Sequence, residues 1–370
     1  MRIVITGADG FIGRNLDVRL GELGYADIAR ITRHSSAEDL EAALKEAEFV
    51  FHLAGVNRPK DVSEFVSGNA GLTETVCALL AGSGNKAPVV LSSSTQAGLD
   101  NSYGHSKRAA EEAVFNHGER TGAPVYVFRL TNVFGKWSKP NYNSAVATFC
   151  HNIARGMEIR VNDPAAALRL VYIDDVVEAF VALLRTPPRA AGFVEAGPEY
   201  ETTVGYVADT IRGFPASRKS LITDRVGTGL VRALYSTYLS FLPPEQFFYD
   251  VARHGDARGV FVEMLKTPDC GQFSYFTSHP GVTRGEHYHH TKTEKFMVLK
   301  GTAHFGFRHV VTGEFHELVT RGGEGRIVET VPGWTHNITN IGDDEMIVML
   351  WANEIFDRAK PDTVGRKVNP

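Results

Sequence analysis

The chain opens on an apolar, β-branched run at residues 2–6, the pattern of a strand buried on both faces. Across residues 11–23 apolar positions recur with helical spacing. The same pair of patterns then repeats, with a strand at 28–32 and a helix at 37–47, a strand at 49–55 and a helix at 69–80, and a strand at 89–91. This alternation predicts an α/β, doubly wound parallel sheet of the Rossmann type, with ligands beyond the carboxyl ends of its strands. After residue 186 prolines and glycines become frequent, a further helix is expected near 204–211, and an amphipathic, aromatic tract fills 230–242. That tract could complete a substrate lobe or pack between domains or subunits. Pro243-Pro244 ends it. Beyond Phe247 short alternating segments separated by glycines predict an all-β domain. The expected domains are 1–243 and 244–370.

At 370 residues and 43% apolar content, the chain exceeds one ordinary core, in keeping with two domains. A net charge of −4 with no long run of one sign argues against nucleic acid or a membrane surface as partner. No stretch approaches about 18 uninterrupted apolar residues, and the N-terminus lacks the basic-then-apolar pattern of a signal peptide, so a cytoplasmic protein is expected. Cys77, Cys150 and Cys270 form no C-x-x-C pair and read as packing residues. Seven of the fourteen histidines lie between His287 and His336, which concentrates candidate chemistry there.

The first strand runs into Gly7, Gly10 and Gly13, and Phe11-Ile12 open the helix. Such a turn lets a pyrophosphate approach the backbone, where the helix start offers unpaired N–H groups, so a dinucleotide is expected. Arg33 and His34 follow the second strand, where a carboxylate would select NAD and a basic side chain accommodates a 2′-phosphate; they favour NADPH. Leu53-Ala54-Gly55 end the third strand with small residues that admit an adenosine ribose, and Asn69, beginning the next helix, is a further candidate cofactor contact. Tyr103 and Lys107 stand four apart, so on a helix the ammonium shares a face with the phenol. A phenol lowered by a nearby cation can protonate a carbonyl oxygen while hydride reaches the carbon, with a serine hydroxyl holding that oxygen.

Thr6-Gly7-x-x-Gly10-x-x-Gly13, His52-Leu53-Ala54-Gly55, Ser92-Ser93-Ser94, Tyr103-x-x-x-Lys107 and Arg129-x-x-Asn132-Val-Phe-Gly135 together resemble the extended short-chain dehydrogenase/reductases that act on nucleotide sugars. The resemblance covers residues 1–242. It implies that a hydroxyl residue ending the fourth strand works with Tyr103 and Lys107; Ser94 is the match and Ser93 the alternative. Ala97-Gly98 stands where the family commonly has Tyr-Gly, a loop variation. The polar loop 136–144, with Lys136, Trp137 and Tyr142, suits a uridine diphosphate sugar. Asp174 and Asp175 read equally as helix caps or ligands.

In the second half His287 and His289 point to one side of a strand, Glu294 follows, and His336 can return from a distant strand. Three imidazoles and a carboxylate make a borderline-soft divalent site, with zinc the expected ion. The pattern Gly281-x5-His287-x-His289-x4-Glu294-x6-Gly301, then Pro332-Gly333-x-x-His336-x-x-x-Asn340, resembles the two signature motifs of the cupin barrels (double-stranded β-helix, jelly-roll). Residues 256–263 and 284–288 are similar to cupin-type sugar-nucleotide 3,5-epimerases. There the histidine matching His287 is the base, a role that conflicts with a ligand role; His290 and Lys295 are the alternatives. Over its whole length the chain resembles a bacterial capsular polysaccharide family that epimerises carbon 3 and reduces carbon 4 of a UDP-2-acetamido-2,6-dideoxy-4-ketohexose toward UDP-N-acetyl-L-fucosamine. That resemblance implies a UDP-sugar substrate and a homodimer. Two alternatives stay open: an NAD-retaining epimerase or dehydratase, and a reductase whose cupin only binds sugar or dimerises.

Overall fold

The computed structural model describes residues 1–186, 192–252, 254–256, 259–261, 265, 271–354 and 359–369. Arg258 and Glu263 of the epimerase-like stretch, and Cys270, lie outside the described residues. By contacts the chain divides into two compact units, Met1–Ser144 with Leu168–Glu201, and Ala145–Ala167 with Thr202–Pro370. Cys77 and Cys150 are free and buried, as packing residues should be. Among the described residues no helix is long and apolar enough to cross a membrane.

In the first unit strands β1 (Ile3–Thr6), β2 (Ile28–Ile31), β3 (Phe49–His52), β4 (Val89–Ser94) and β5 (Val125–Leu130) alternate with helices α1 (Phe11–Glu22), α2 (Ala37–Lys45), α3 (Ser63–Phe65), α4 (Leu72–Gly82) and α5 (Ser102–Thr121). Next come β6 (Asn132–Phe134), α6 (Ala145–Ala154), β7 (Ala167–Tyr172), α7 (Ile173–Arg185) and β8 (Gly192–Phe193), of which α6 belongs to the second unit. The main sheet is parallel in the order β2-β1-β3-β4-β5-β8. Strands β1 and β3 are wholly buried because helices cover both faces, which is why they read as continuous apolar runs. The order reverses between β1 and β3, the place where sheets of this kind bind ligands beyond the carboxyl ends of their strands. On the α7 side Phe180 packs between Phe51 and Phe128, at ring distances of 5.9 and 4.7 Å.

The second unit joins α6, α8 (Val204–Ser220) and α9 (Gly229–Ser240) to a β-rich body; β9 (Glu199–Thr203) spans the boundary in sequence. Its strands are β10 (Phe248–Asp250), β11 (His254–Asp256), β12 (Gly259–Phe261), β13 (Gln272–Ser278), β14 (Thr283–Tyr288), β15 (Glu294–Lys300), β16 (Thr302–His309), β17 (Phe315–Arg321), β18 (Arg326–Glu329), β19 (Trp334–Asn340), β20 (Met346–Ala352) and β21 (Val364–Gly365). Two five-stranded antiparallel sheets form, in the orders β10-β18-β15-β20-β13 and β17-β16-β19-β14-β21. Their inner faces meet through Phe296 against Phe305, ring centres 5.8 Å apart, and through Phe247 against Phe307 and Trp334. This is the jelly-roll arrangement expected of the histidine half.

Helix α9 ends at Ser240, a short 3-10 turn follows at Pro244–Gln246 and β10 begins at Phe248, while packing groups α6, α8 and α9 with the β-rich body. A buried charge cluster ties α8 to that body. Glu329 on β18 accepts from Arg218 on α8 and from Lys295 on β15, and Lys295 also donates to the Tyr249 hydroxyl at 3.0 Å. Burial alone would push the Glu329 carboxyl up, but the two cations hold it below the usual range, and Glu329 in turn holds Lys295 above the usual lysine range. Helix α8 also runs past Pro215 to Ser220, longer than the expected 204–211, and this extension is what brings Arg218 to the cluster. Glu329→Ala would strand two buried cations, and should cost roughly 3–5 kcal/mol. Urea unfolding followed by tryptophan fluorescence, with Trp334 and Trp351 reporting on this unit, checks the shift.

Candidate functional site

Two groups of candidate residues assemble, one in each unit. In the first, Gly7 has φ +70, and a Cβ there would sit 2.8 Å from the N and Cα atoms of Ala54. Glycine is therefore required where the loops after β1 and β3 touch. A Cβ on Gly13 would lie 2.2 Å from the Gly7 carbonyl oxygen, so that glycine lets helix α1 start directly against the loop. Gly10 is the N-cap of α1 and has no side chain to cap it, which leaves the first N–H groups, at Phe11 and Ile12, facing outward from the helix start. Arg33 and His34 are exposed just past β2, with the Arg33 guanidinium 3.8 Å from the Asp9 carboxylate.

Behind this loop runs a buried hydrogen-bond chain. Thr73 donates to the Asn69 carbonyl, so it accepts from His52 Nε2; the other imidazole nitrogen then accepts from the Thr6 hydroxyl, which itself accepts from Ala54 N–H. Burial, with Lys107 adding to it, pushes His52 down to about 3, so it stays neutral and serves as a rigid link. Asn69 lies in a π-helical turn, Val66–Gly71, ahead of α4. Its Oδ1 accepts from Val56 N–H, and its amide donates to the Val56 carbonyl and the Ser106 hydroxyl. Both of its side-chain donors and its oxygen are thus engaged within the protein. Gly55 must be small, because a Cβ would fall 2.8 Å from Asn69 Oδ1 and 3.3 Å from Lys107 Nζ. The sequence motif contained His52 without revealing this role; its partners come from two other segments.

Asn101 caps α5 by accepting from Gly104 N–H, and the helix carries Tyr103 and Lys107 on one face. The Lys107 ammonium lies 6.0 Å from the Tyr103 ring centre and donates to the Ser92 carbonyl at 3.0 Å. Burial lowers Lys107 to about 8, against the pull of Glu111. Burial also pushes the Tyr103 phenol up, while the hydroxyl of Ser94, hydrogen-bonded to it, works the other way. The two serines part company here. Ser93 donates to Glu111 at 2.5 Å, a carboxylate already bound twice by Arg129, whereas Ser94 faces Tyr103. In the 136–144 loop Lys136 is buried and paired with Asp174, so its charge is spent inside the protein rather than offered to a phosphate.

In the second unit His287, His289, Glu294 and His336 present ligating atoms within 4.8 Å of one another. The sequence places His287 by an irregularity it does not announce. Between Gly285 and His287 the β14 register shifts against β19, with Glu286 at φ +61, and this bulge sets His287 opposite His336. Glu286 is pinned there by Asn337 and by Val368 N–H, both at 2.7 Å. Glu294 reaches the cluster from the facing sheet, its backbone tied to Thr330 by two bonds of 2.9 Å. His289 Nδ1 donates to the Asp362 carbonyl at 2.5 Å, which leaves Nε2, 3.1 Å from Glu294, as the nitrogen it can offer to a metal.

These groups fit a divalent cation. Burial and the neighbouring imidazoles push His287 down to about 3; burial lowers His336 as well, so both are neutral, as ligands must be. Among the described residues neither nitrogen of buried His336 has a hydrogen-bond partner, and its nearest charge is Glu294 at 3.6 Å. Lys295, next to Glu294, points to the opposite face of β15, where Glu329 and Tyr249 hold it. It is not aimed at the cluster, which removes it as the base there.

Residues 3–194 match the NAD dependent epimerase/dehydratase family, and residues 254–364 match the polysaccharide biosynthesis C-terminal domain. The chain is 56% identical over 368 residues to the UDP-2-acetamido-2,6-beta-L-arabino-hexul-4-ose reductase of Pseudomonas aeruginosa, covering 100% of this chain and 99% of the relative. Against the crystal structure of the capsular polysaccharide assembling protein CapF from Staphylococcus aureus the identity is 42%, with 99% and 100% covered and a TM-score of 0.69. MoeE5 in complex with UDP-glucose and NAD is 21% identical over 58% of this chain and 82% of that one, with a TM-score of 0.52, a likeness of fold alone. The parallel sheet with its glycine loop, the family match over residues 3–194 and the full-length identity to the reductase show that this chain belongs to the NAD dependent epimerase/dehydratase family.

Proposed function

We propose that this protein reduces the 4-keto group of a UDP-2-acetamido-2,6-dideoxyhexos-4-ulose with NADPH, after its β-rich domain has inverted carbon 3. The observation that carries the reading is the 56% identity to a UDP-ketosugar reductase along the entire chain. The grouping of Ser94, Tyr103 and Lys107 beyond the carboxyl end of β4 supports it with chemistry. A bound nicotinamide cofactor supplies the hydride. Ser94 holds the ketone oxygen, Tyr103 donates its phenolic proton to that oxygen, and Lys107 stabilises the phenolate that remains. Arg33 and His34, exposed beyond β2, suit the 2′-phosphate of NADPH. His287, His289, Glu294 and His336 would hold a divalent cation, zinc by the softness of the donors, whose charge acidifies a hydrogen next to a ketone. The pairing is chemically ordered. The 4-keto group makes the carbon 3 proton removable, and its reduction then locks the new configuration.

Turnover in heavy water, read by product mass and proton spectrum, tests both halves together. Deuterium at carbon 3 with cofactor-derived hydrogen at carbon 4 is expected, and stripping the metal with a chelator should abolish the deuterium. A reduced product with no deuterium at carbon 3 would leave a reductase carrying a binding barrel, and no NADPH oxidation would overturn the reduction. Tyr103→Phe should lower the rate of NADPH oxidation roughly a hundred- to ten-thousandfold, while cofactor binding measured by fluorescence persists. Lys107, at about 8, carries its proton below that pH and loses it above. The kcat/KM of reduction should therefore fall as pH rises through about 8, and the alkaline limb should vanish in Lys107→Met against its lower baseline.

A further inference from the structure

The short segment between His289 and Glu294 is gripped from two sides by groups that lie far away in sequence. On one side stands Asp362. Its Oδ1 accepts from His290 N–H at 2.9 Å; its Oδ2 accepts from Thr291 N–H and Lys292 N–H, both at 2.7 Å, and from the Thr291 hydroxyl at 3.0 Å. Its own carbonyl takes the His289 Nδ1 proton at 2.5 Å. On the other side stands helix α9, within the aromatic tract that the sequence offered either as part of a substrate lobe or as packing between domains or subunits. Ser236 donates to the Thr291 carbonyl at 2.9 Å, and Arg232 reaches the Thr291 hydroxyl while pairing with Glu354 at 3.0 Å. Asn353 closes the segment by accepting from Thr293 N–H at 2.9 Å.

We propose that Asp362 is a positioning residue for the metal centre. It clamps residues 290–292 through its carboxylate and sets the rotation of His289 through its carbonyl, so that the imidazole presents Nε2 to Glu294, 3.1 Å away. The proposal rests on the metal reading above. Four donors converge on one carboxylate, and without it the chain linking two ligands is free to swing, so the ligands must be ordered when the ion binds. Asp362 acts through His289 and Glu294.

The test uses the full-length protein and Zn²⁺ alone, titrated in competition with a chromophoric chelator, beside the melting temperature of the metal-free protein. Asp362→Ala should bind Zn²⁺ about 10–100-fold more weakly than the unaltered chain. Asp362→Asn, which keeps one acceptor oxygen but turns an NH₂ toward the donors, should fall between the two. Equal Zn²⁺ affinity in all three, with only the melting temperature reduced, would show that Asp362 serves the fold alone and overturn the proposal. An unaltered chain that takes up no Zn²⁺ would overturn the metal centre itself, and this role with it. Should Asp362→Ala fail to fold, the same comparison between Asp362→Asn and the unaltered chain decides.

Discussion

A buried carboxylate cannot keep its charge unaided, and Glu329 imposes that constraint on the whole second unit. It is 2% exposed and must be met by both Arg218 and Lys295. Meeting it draws α8 onto the wall formed by β15 and β18, and surrounds the charges with the hydroxyl of Tyr249 and the buried ring of Tyr235. Because β15 alternates, docking Lys295 outward points Glu294 inward. The salt bridge behind the wall and the candidate metal ligand in front of it are thus two consequences of one strand register, in which Lys295 pairs with Glu329.

The first unit obeys a different constraint, close approach of backbone to backbone. The Ala54 backbone leaves no room for a Cβ on Gly7, and the loops after β1 and β3 can meet only because a glycine stands there. The buried chain from Thr6 through His52 and Thr73 to Asn69 then fixes the two strands against the π-helical turn. In both units, therefore, candidate site residues are held in place by buried groups that lie outside the candidate sites.

Much of this was legible along the chain, though unevenly. The glycine loop, Tyr103 with Lys107, and the histidine cluster are local patterns, where spacing and secondary structure suffice to predict which side chains share a face. Ser93 and Ser94 were not separable that way, since adjacent residues on a strand differ only in what lies on each side of the sheet; Glu111 takes one and Tyr103 the other. Lys136 looked like a free cation in a polar loop, and Asp174, 38 residues on, claims it.

The sequence by itself determined the two architectures, the order of the strands and helices, and the identities of the residues that converge at each candidate site. It could do so because hydrophobic period and backbone conformation are short-range properties, expressed within a few residues. Only the tertiary structure decided which of two neighbouring groups faces the chemistry, that α8 and α9 pack with the β-rich body, and that a bulge at Glu286 and a clamp at Asp362 orient the histidines. Those outcomes depend on burial and on partners tens of residues away, and a buried charge or an oriented imidazole acquires its meaning only when its partner arrives.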